Sequence, residues 1–289
     1  MITPQPQAKK LAKALNLGPD LYLKREDLHP YGSHKGRSIP VMIEKYIQEG
    51  WQKFCISSSG NAALAAIYSI KDLNKKQDQQ NTLHIFVGNH IQPEKLERLE
   101  QIKEKDKNIT IEKVSNPKQS AFQMDKKGEA KNLRQSTDDT ALIGYQTLAD
   151  ELSQIQNLTA VFIPTSSGTT AQGLYNGFKK HGFNPQIHII QTPKCHPLVD
   201  NSPIGTSVAN AIVDTVGYRK EAIQKILQET GGKGWIAEDK DIVEAQLLVK
   251  EKEGLDISPN SALSLAGLNL AIKNGLKFKG SVVCLITGL

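Results

Sequence analysis

The sequence predicts an α/β protein whose sheets are largely parallel. Short apolar runs typical of buried strands alternate with helical segments along almost all of the 289 residues, which is the pattern of repeated strand–helix–strand units. The length suits either two modest domains or one large domain. A change from polar to apolar composition at residues 141–145 indicates a domain boundary, so we expect two domains.

Composition excludes several classes of function. Hydrophobic residues make up 38% and charged residues 23% of the chain, as in a globular protein with a core. Lysines are mixed with acids, as in residues 103–107, so the net charge of +6 predicts no nucleic-acid partner. The apolar runs are too short for a membrane span, and the polar N-terminus does not resemble a signal peptide; we expect a cytoplasmic protein. Three widely separated cysteines predict neither disulfides nor a metal site.

A lysine loop is the first candidate for chemistry. Lys35 follows a Gly-Ser pair, between a strand-like run at residues 20–24 and a helical pattern at residues 39–47. The positive end of a helix dipole disfavours an ammonium group. A neutral amine there could form a Schiff base with a carbonyl group, although a solvated loop lysine is the alternative.

A second loop, at residues 164–170, lies between a buried strand and a helix. Its small residues allow close approach of a ligand, and the free N–H groups of a helix N-terminus favour a phosphate. The loop has neither the lysine of a P-loop nor the glycines of a dinucleotide fingerprint, and a simple helix cap is the alternative. The residues with hydroxyl donors are Ser166, Ser167, Thr169 and Thr170.

Two further stretches carry polar groups at predicted strand ends. Residues 57–61 read Ser-Ser-Ser-Gly-Asn, a donor-rich turn that suits a carboxylate or a phenolate-like oxygen, or simply caps the next helix. Thr287 follows the last predicted strand, at residues 281–286. A hydroxyl at the carboxyl end of a parallel strand faces the region where α/β proteins bind ligands.

These motifs, in the order in which they occur along the chain, resemble those of the fold-type II pyridoxal-phosphate enzymes. This family includes threonine synthase, serine/threonine dehydratases, cysteine synthase and the β subunit of tryptophan synthase. The resemblance covers nearly the whole chain, and His34 before the lysine is similar to the tryptophan synthase β branch. The matching segments are LKRED at 23–27 with GSHK at 32–35, SGN at 59–61, GYQTLA at 144–149, SPNSA at 258–262 with LAGL at 265–268, and LITG at 285–288.

The resemblance implies an architecture and a set of residue roles. It implies two three-layer domains, a smaller one at 37–141 and a larger one at 1–36 with 142–289, with pyridoxal 5′-phosphate in the cleft between them. Lys35 would form the Schiff base and move protons on the substrate, Asn61 would bond the 3′ oxygen of the cofactor, and Thr287 would meet the pyridine nitrogen. The phosphate would lie on Ser166, Ser167, Gly168, Thr169 and Thr170, and the substrate carboxylate on Ser57, Ser58, Ser59 and Gly60.

The implied function is that of a lyase in amino-acid metabolism, most like threonine synthase, which converts O-phosphohomoserine to threonine. A neutral hydroxyl at the pyridine nitrogen suits elimination or replacement better than transamination. Lys24, Arg25 and Arg37 are available cations for a phosphorylated substrate, or could form surface salt bridges. A serine/threonine dehydratase, a β-replacement synthase and a catalytically inactive relative are the alternatives. The family implies a small amino-acid substrate and a homodimer.

Overall fold

A computed structural model describes residues 2–77, 80–200 and 205–288. The chain divides into two compact units. We call Met1–His29 with Tyr145–Leu289 the large unit, and Pro30–Gly144 the small unit.

Strands and helices alternate along the chain, as predicted. The strands are β1 (Leu21–Arg25), β2 (Lys53–Ser57), β3 (Thr82–Gly88), β4 (Ile109–Val114), β5 (Lys131–Asn132), β6 (Leu158–Pro164), β7 (Gln186–Gln191), β8 (Gly234–Ile236) and β9 (Ser281–Ile286). The α-helices are α1 (Lys9–Ala14), α2 (Lys35–Gln48), α3 (Asn61–Gln77), α4 (Pro93–Lys103), α5 (Pro117–Lys126), α6 (Thr140–Leu152), α7 (Thr169–Lys180), α8 (Lys220–Thr230), α9 (Asp239–Glu253) and α10 (Pro259–Lys273).

The large unit is built on a parallel five-stranded sheet in the order β1-β9-β6-β7-β8. All six residues of β9 are buried, as expected for a central parallel strand covered on both faces. The edge strand β1 is not left open, because the N-terminal segment pairs along it. The Ala8 N–H donates to the Leu21 carbonyl at 2.7 Å, and the Leu23 N–H donates to the Pro6 carbonyl at 3.1 Å. This pairing protects the sheet edge from other chains.

The small unit contains a parallel four-stranded sheet in the order β4-β3-β2-β5. Its core forms mainly between the sheet and the apolar faces of α2 and α3, with Ile39, Ile43 and Ile67 fully buried. The helix α2 ends at Gln48 and the chain enters the amino end of β2 at Lys53. Because α2 is about 21 Å long and returns the chain to that end, its first residue lies toward the carboxyl end of the sheet.

The boundaries of the small unit differ from those predicted at residues 37 and 141. The unit includes residues 30–36, because the Tyr31 ring stacks on Tyr68 of α3 with a centroid distance of 5.3 Å. It also extends to Gly144. A Cβ atom built on Gly144 would lie 2.1 Å from the Arg37 carbonyl oxygen, so glycine allows the start of α6 to pack directly on α2.

The structure also bears on disulfide formation, metal binding and membrane spanning. Cys55, Cys195 and Cys284 are buried and free. Within residues 2–77, 80–200 and 205–288, no cluster of His, Cys, Asp or Glu side chains could hold a metal ion. No helix in the same ranges is both long and apolar enough to cross a membrane.

Candidate active site

Lys35 is the first residue of α2, in the small unit. Its side chain is half-buried, and its backbone N–H donates to Ser33 Oγ at 3.3 Å. The ε-amine makes no hydrogen bond or ion pair with any residue that the structure describes. Gly32, three residues earlier, has a φ of +73°, a conformation that favours glycine. The local sequence therefore makes a tight turn that presents a lysine without a protein partner.

The lysine loop is held to α3 through Tyr31. The Tyr31 hydroxyl donates to Asp72 Oδ2 at 2.6 Å, and its ring stacks on Tyr68. Burial raises the pKa of Tyr31, and the hydrogen bond to the Asp72 carboxylate raises it further. The phenol therefore stays protonated as a donor at neutral pH. The same helix that begins at Asn61 thus fixes the loop that carries Lys35.

The Ser-Ser-Ser-Gly-Asn turn connects the carboxyl end of β2 to the first residue of α3. The hydroxyls of Ser57 and Ser59 have no partner among the described residues, whereas Ser58 Oγ accepts the Gly60 N–H at 3.3 Å. All five residues of this turn are partly exposed. Since α2 packs against α3 and both helices begin at the carboxyl side of the sheet, the structure brings Lys35 and Asn61 to the same edge of the small unit.

The loop at residues 164–170 connects β6 to α7 in the large unit. The backbone N–H groups of Ser166, Ser167 and Gly168 donate to no acceptor in the described chain, and no side chain caps α7. Gly168 has a φ of +88°, and a Cβ atom built there would lie 2.8 Å from Ile223 Cγ1. Only glycine fits this position, where the chain turns into the helix. The successive backbone N–H groups before the helix remain available to an anion, as in an anion-binding nest.

The hydroxyl groups of the same loop are largely engaged within the protein. Ser166 Oγ accepts the N–H groups of Val213 and Asp214, each at 3.1 Å. Ser167 Oγ and Thr169 Oγ1 lie 2.8 Å apart and bond each other. The donors that remain available in this loop are therefore mainly backbone N–H groups. The Ser166 hydroxyl, expected to contact a ligand, binds the neighbouring segment at Val213 and Asp214 in the structure.

Thr287 directly follows β9, the strand that pairs with β6. It therefore lies at the same sheet edge as the loop at residues 164–170. Thr287 is buried, and its Oγ1 lies 3.5 Å from Ser261 Oγ. Ser258 caps α10 by accepting the Ser261 N–H at 3.2 Å and donates to the Gly288 carbonyl at 2.5 Å. The serines of the 258–262 motif thus fix the end of the last strand.

Two of the three cations expected to be available for a phosphorylated substrate, Lys24 and Arg25, are engaged elsewhere. Lys24 is fully buried and pairs with the Glu151 carboxylate, and its Nζ also donates to the Thr3 carbonyl at 2.8 Å. Arg25 forms a two-pronged pair with Asp27, with contacts of 2.7 and 2.8 Å. Of the two interpretations, salt bridges are correct for both residues, although the Lys24 pair is buried rather than at the surface. The partner Glu151 lies 127 positions away in sequence, so no local pattern indicated it.

One buried residue beside the loop at residues 164–170 was not singled out from the sequence. Gln191, the last residue of β7, has a side chain with three hydrogen bonds, two of them to carbonyls of this loop. Its only sequence signal is a polar residue at the end of an apolar strand, which by itself does not distinguish it from a surface residue.

Comparison with known proteins shows the family to which this chain belongs. A family model described as pyridoxal-phosphate dependent enzyme matches residues 2–288, and the chain belongs to this family. Its cofactor is pyridoxal 5′-phosphate, as predicted. The structure of maize serine racemase superposes with a TM-score of 0.84 at 16% identity, over 99% of this chain and 87% of that one. The predicted fold-type II architecture with parallel sheets is confirmed.

Two characterised relatives carry different activities. Threonine synthase of Methanocaldococcus jannaschii is 26% identical over 310 residues, covering 99% of this chain and 74% of the relative. Human L-serine dehydratase/L-threonine deaminase is 24% identical over 295 residues, covering 96% of this chain and 85% of the relative. Both are similar to this chain over almost its full length, so similarity places it in the family without selecting one reaction.

Residues of this chain fit the cofactor in three respects. The N–H groups at residues 166–168 are without acceptors among the described residues, as a phosphate site requires. The Lys35 amine has no protein partner in the same part of the chain. Thr287 provides a buried hydroxyl at the carboxyl end of the sheet, where ligands of α/β proteins bind.

Proposed function

We propose that this chain is a pyridoxal-phosphate-dependent lyase that acts on a small amino acid by elimination or replacement. A threonine synthase-like conversion of O-phosphohomoserine to threonine is the leading candidate. The observation that carries the proposal is the Lys35 ε-amine, which begins α2 without a partner in the described chain. Threonine synthase is ranked first because the sequence motifs resemble it most and one threonine synthase is similar to 99% of this chain.

Lys35 is the residue that would attach the cofactor and then move protons. Pyridoxal phosphate, when bound, supplies an electron sink for negative charge at the substrate Cα. The Lys35 amine would take the proton from Cα and deliver a proton at a neighbouring carbon. Because no carboxylate pairs with this amine in the described residues, it can accept a proton without first breaking an ion pair.

Ser57, Ser58, Ser59 and Gly60 would hold the substrate carboxylate. The hydroxyls of Ser57 and Ser59, which bond nothing in the described chain, can donate to its oxygens, and the N-terminus of α3 adds a favourable electrostatic field. Holding the carboxylate fixes the orientation of the Cα–H bond with respect to a base, which is the main contribution of a binding loop to the rate.

The remaining contacts would come from one loop and two side chains. The cofactor phosphate would bind the N–H groups at residues 166–170, with Thr169 and Thr170 at the helix N-terminus. Asn61 would bond the 3′ oxygen of the cofactor, and Thr287 the ring nitrogen. A neutral hydroxyl at this nitrogen does not stabilise a protonated ring as a carboxylate does, so reactions with a departing leaving group are favoured over transamination.

A serine/threonine dehydratase is the second candidate. Lys24 and Arg25 are paired with Glu151 and Asp27, so two of the three cations considered for the phosphate of phosphohomoserine are neutralised. A hydroxy-amino acid needs no such cations, and one of the relatives is a dehydratase. A β-replacement synthase is the third candidate, and a catalytically inactive relative is the fourth. We also propose a cytoplasmic homodimer, from the family resemblance.

The proposal is tested first by cofactor attachment. The purified protein, loaded with pyridoxal phosphate, should show a visible absorption band, and borohydride reduction should fix the label on the peptide that contains Lys35. Lys35→Ala should lose both, whereas Lys10→Ala, a change at an exposed lysine of α1, should keep both. Absence of the label from Lys35 in the unchanged protein would refute the proposal.

Product analysis then separates the candidates. Release of phosphate with formation of threonine from O-phosphohomoserine identifies a threonine synthase, and ammonia with a 2-oxo acid from serine or threonine identifies a dehydratase. Incorporation of an added thiol in place of the serine hydroxyl identifies a replacement synthase. Cofactor attachment without turnover of any of these compounds identifies an inactive relative.

A further inference from the structure

We infer that Gln191 is a positioning residue that sets the direction of the N–H groups in the loop at residues 164–170, and thereby its affinity for the cofactor phosphate. The inference rests on the proposed function, since it concerns the phosphate site of that function. Gln191 is fully buried at the carboxyl end of β7, next to the end of β6 from which the loop departs.

The side-chain amide of Gln191 is bonded at both ends. Its Nε2 donates to the carbonyls of Thr165 at 3.3 Å and Ser166 at 3.2 Å. Its Oε1 accepts the Leu198 N–H at 3.0 Å. Two acceptors face one end of the amide and one donor faces the other, so the partners themselves determine its orientation. A carboxylate at this position would place an acceptor against two carbonyl oxygens.

The backbone of Gln191 makes this clamp rigid. Its carbonyl accepts the Ala237 N–H at 3.0 Å, and the residue pairs with Ile236 of β8. The Leu198 side chain, whose backbone is bonded to Gln191, lies 3.3 Å from the position that a Cβ atom on Gly168 would occupy. The side chain of Gln191 therefore connects the sheet, the loop and the turn that packs beneath Gly168.

Peptide geometry links these bonds to phosphate binding. No cis peptide occurs in the described residues, and in a trans peptide the C=O and N–H groups point in opposite directions. Gln191 holds the carbonyls of Thr165 and Ser166, so the N–H groups of Ser166 and Ser167 in the same peptide units point away from Gln191. These two N–H groups are among the donors without acceptors in the described chain. Gln191 thus turns two donors outward while it satisfies the carbonyls behind them.

The test compares Gln191→Glu and Gln191→Met with the unchanged protein. Each variant removes the donors to both carbonyls at nearly constant side-chain volume. We expect the dissociation constant for pyridoxal phosphate to rise about tenfold to a hundredfold, the effect of losing charge-assisted hydrogen bonds. The dissociation constant for pyridoxal, which has no phosphate but can still react with Lys35, should change less than about twofold. Protection of the cofactor-free protein by inorganic phosphate against thermal unfolding should fall in parallel.

Gln186→Met provides the matched control, since Gln186 lies at the opposite end of the same strand and bonds the His188 ring at 3.1 Å. It should leave both dissociation constants unchanged. Equal affinity for pyridoxal phosphate in all three variants, with Lys35 still labelled, would overturn the role of Gln191 while the proposed function stands. An equal loss of affinity for pyridoxal and its phosphate would overturn it too. Absence of label on Lys35 in the unchanged protein would refute the proposed function, and the inference with it.

Discussion

Lys24 and Lys35 are eleven positions apart, and their surroundings are opposite in kind. Lys24 is fully buried in the large unit and bonded to Glu151, the Thr3 carbonyl and Gln5 Oε1. Lys35 is half-buried in the small unit, with an amine that has no partner in the described residues. A buried ammonium that is fully paired is held in place by its partners, whereas an amine without a partner is available to react. Of the two lysines in the segments at 23–27 and 32–35, Lys24 is therefore structural and Lys35 is available for chemistry.

Removing the available amine should produce the largest effect on function and almost none on stability. Lys35→Ala should lower the turnover of amino-acid substrate, with added pyridoxal phosphate, by about 10²- to 10⁴-fold or more, because no general base remains. The free energy of unfolding should change by no more than about 0.5 kcal/mol. Steady-state kinetics and urea denaturation measure the two quantities. Unchanged turnover would show that Lys35 is an ordinary loop lysine.

Removing the paired ammonium of Lys24 should have its main effect on stability. Lys24→Met should lower the free energy of unfolding by about 3–5 kcal/mol, because it leaves the Glu151 carboxylate largely buried without a counter-charge. Lys24→Met combined with Glu151→Gln should recover part of the loss, since no unpaired charge then remains. Urea denaturation of the single and double variants measures the coupling. Equal stability of Lys24→Met and the unchanged protein would mean that the pair is solvated.

His188 extends the comparison to a buried group that is kept neutral. It stacks on Phe162 with a centroid distance of 4.4 Å, and its Nδ1 accepts the N–H groups of Lys233 and Trp235, each at 3.2 Å. Burial lowers the pKa of His188 from 6.5 to about 4, with a smaller contribution from the Lys233 charge. The neutral ring therefore stabilises the fold fully above the unfolded pKa of 6.5.

Between pH 6.5 and about 4 the unfolded chain binds a proton at this histidine while the folded chain does not, so stability falls as the pH falls. The free energy of unfolding should decrease by about 3 kcal/mol across this window on account of His188. His188→Gln should flatten the profile, because it removes the buried group whose pKa differs between the folded and unfolded chains. Denaturant titrations at several pH values give the slopes, and an unchanged slope in His188→Gln would contradict the assignment.

The smallest effect is expected from the contact that holds the lysine loop. Tyr31→Phe removes the donor to Asp72 but keeps the ring that stacks on Tyr68. We expect a loss of about 1 kcal/mol in stability and a several-fold fall in kcat, with KM nearly unchanged, because the amine is less well positioned. Tyr46→Phe is the control, since Tyr46 donates to Asp138 within the same unit. Equal kinetic effects in both variants would assign the Tyr31 contact to stability alone.

Much of the architecture could be predicted because its signals are local. Apolar runs such as residues 282–286 are read directly as buried parallel strands. The loops at residues 32–35, 57–61 and 164–170 were predicted as candidate sites for a similar reason, since small and polar residues between a strand and a helix form a local pattern. The N-terminal segment that pairs antiparallel with β1 was not predicted, because its partners are backbone groups and its proline-rich sequence does not resemble a strand.

By itself, the sequence determined the alternation of strands and helices, the order of the loops and the residue types that they carry, because each depends on neighbours within a few positions. Tertiary structure alone decided what those side chains already bond. Lys24 meets Glu151, Ser166 meets Val213 and Asp214, and Gln191 meets Thr165 and Leu198, contacts that no local pattern in the sequence indicates. Whether a polar group is available to a ligand depends on these contacts, since a buried donor or acceptor must be satisfied by whichever group the fold places beside it.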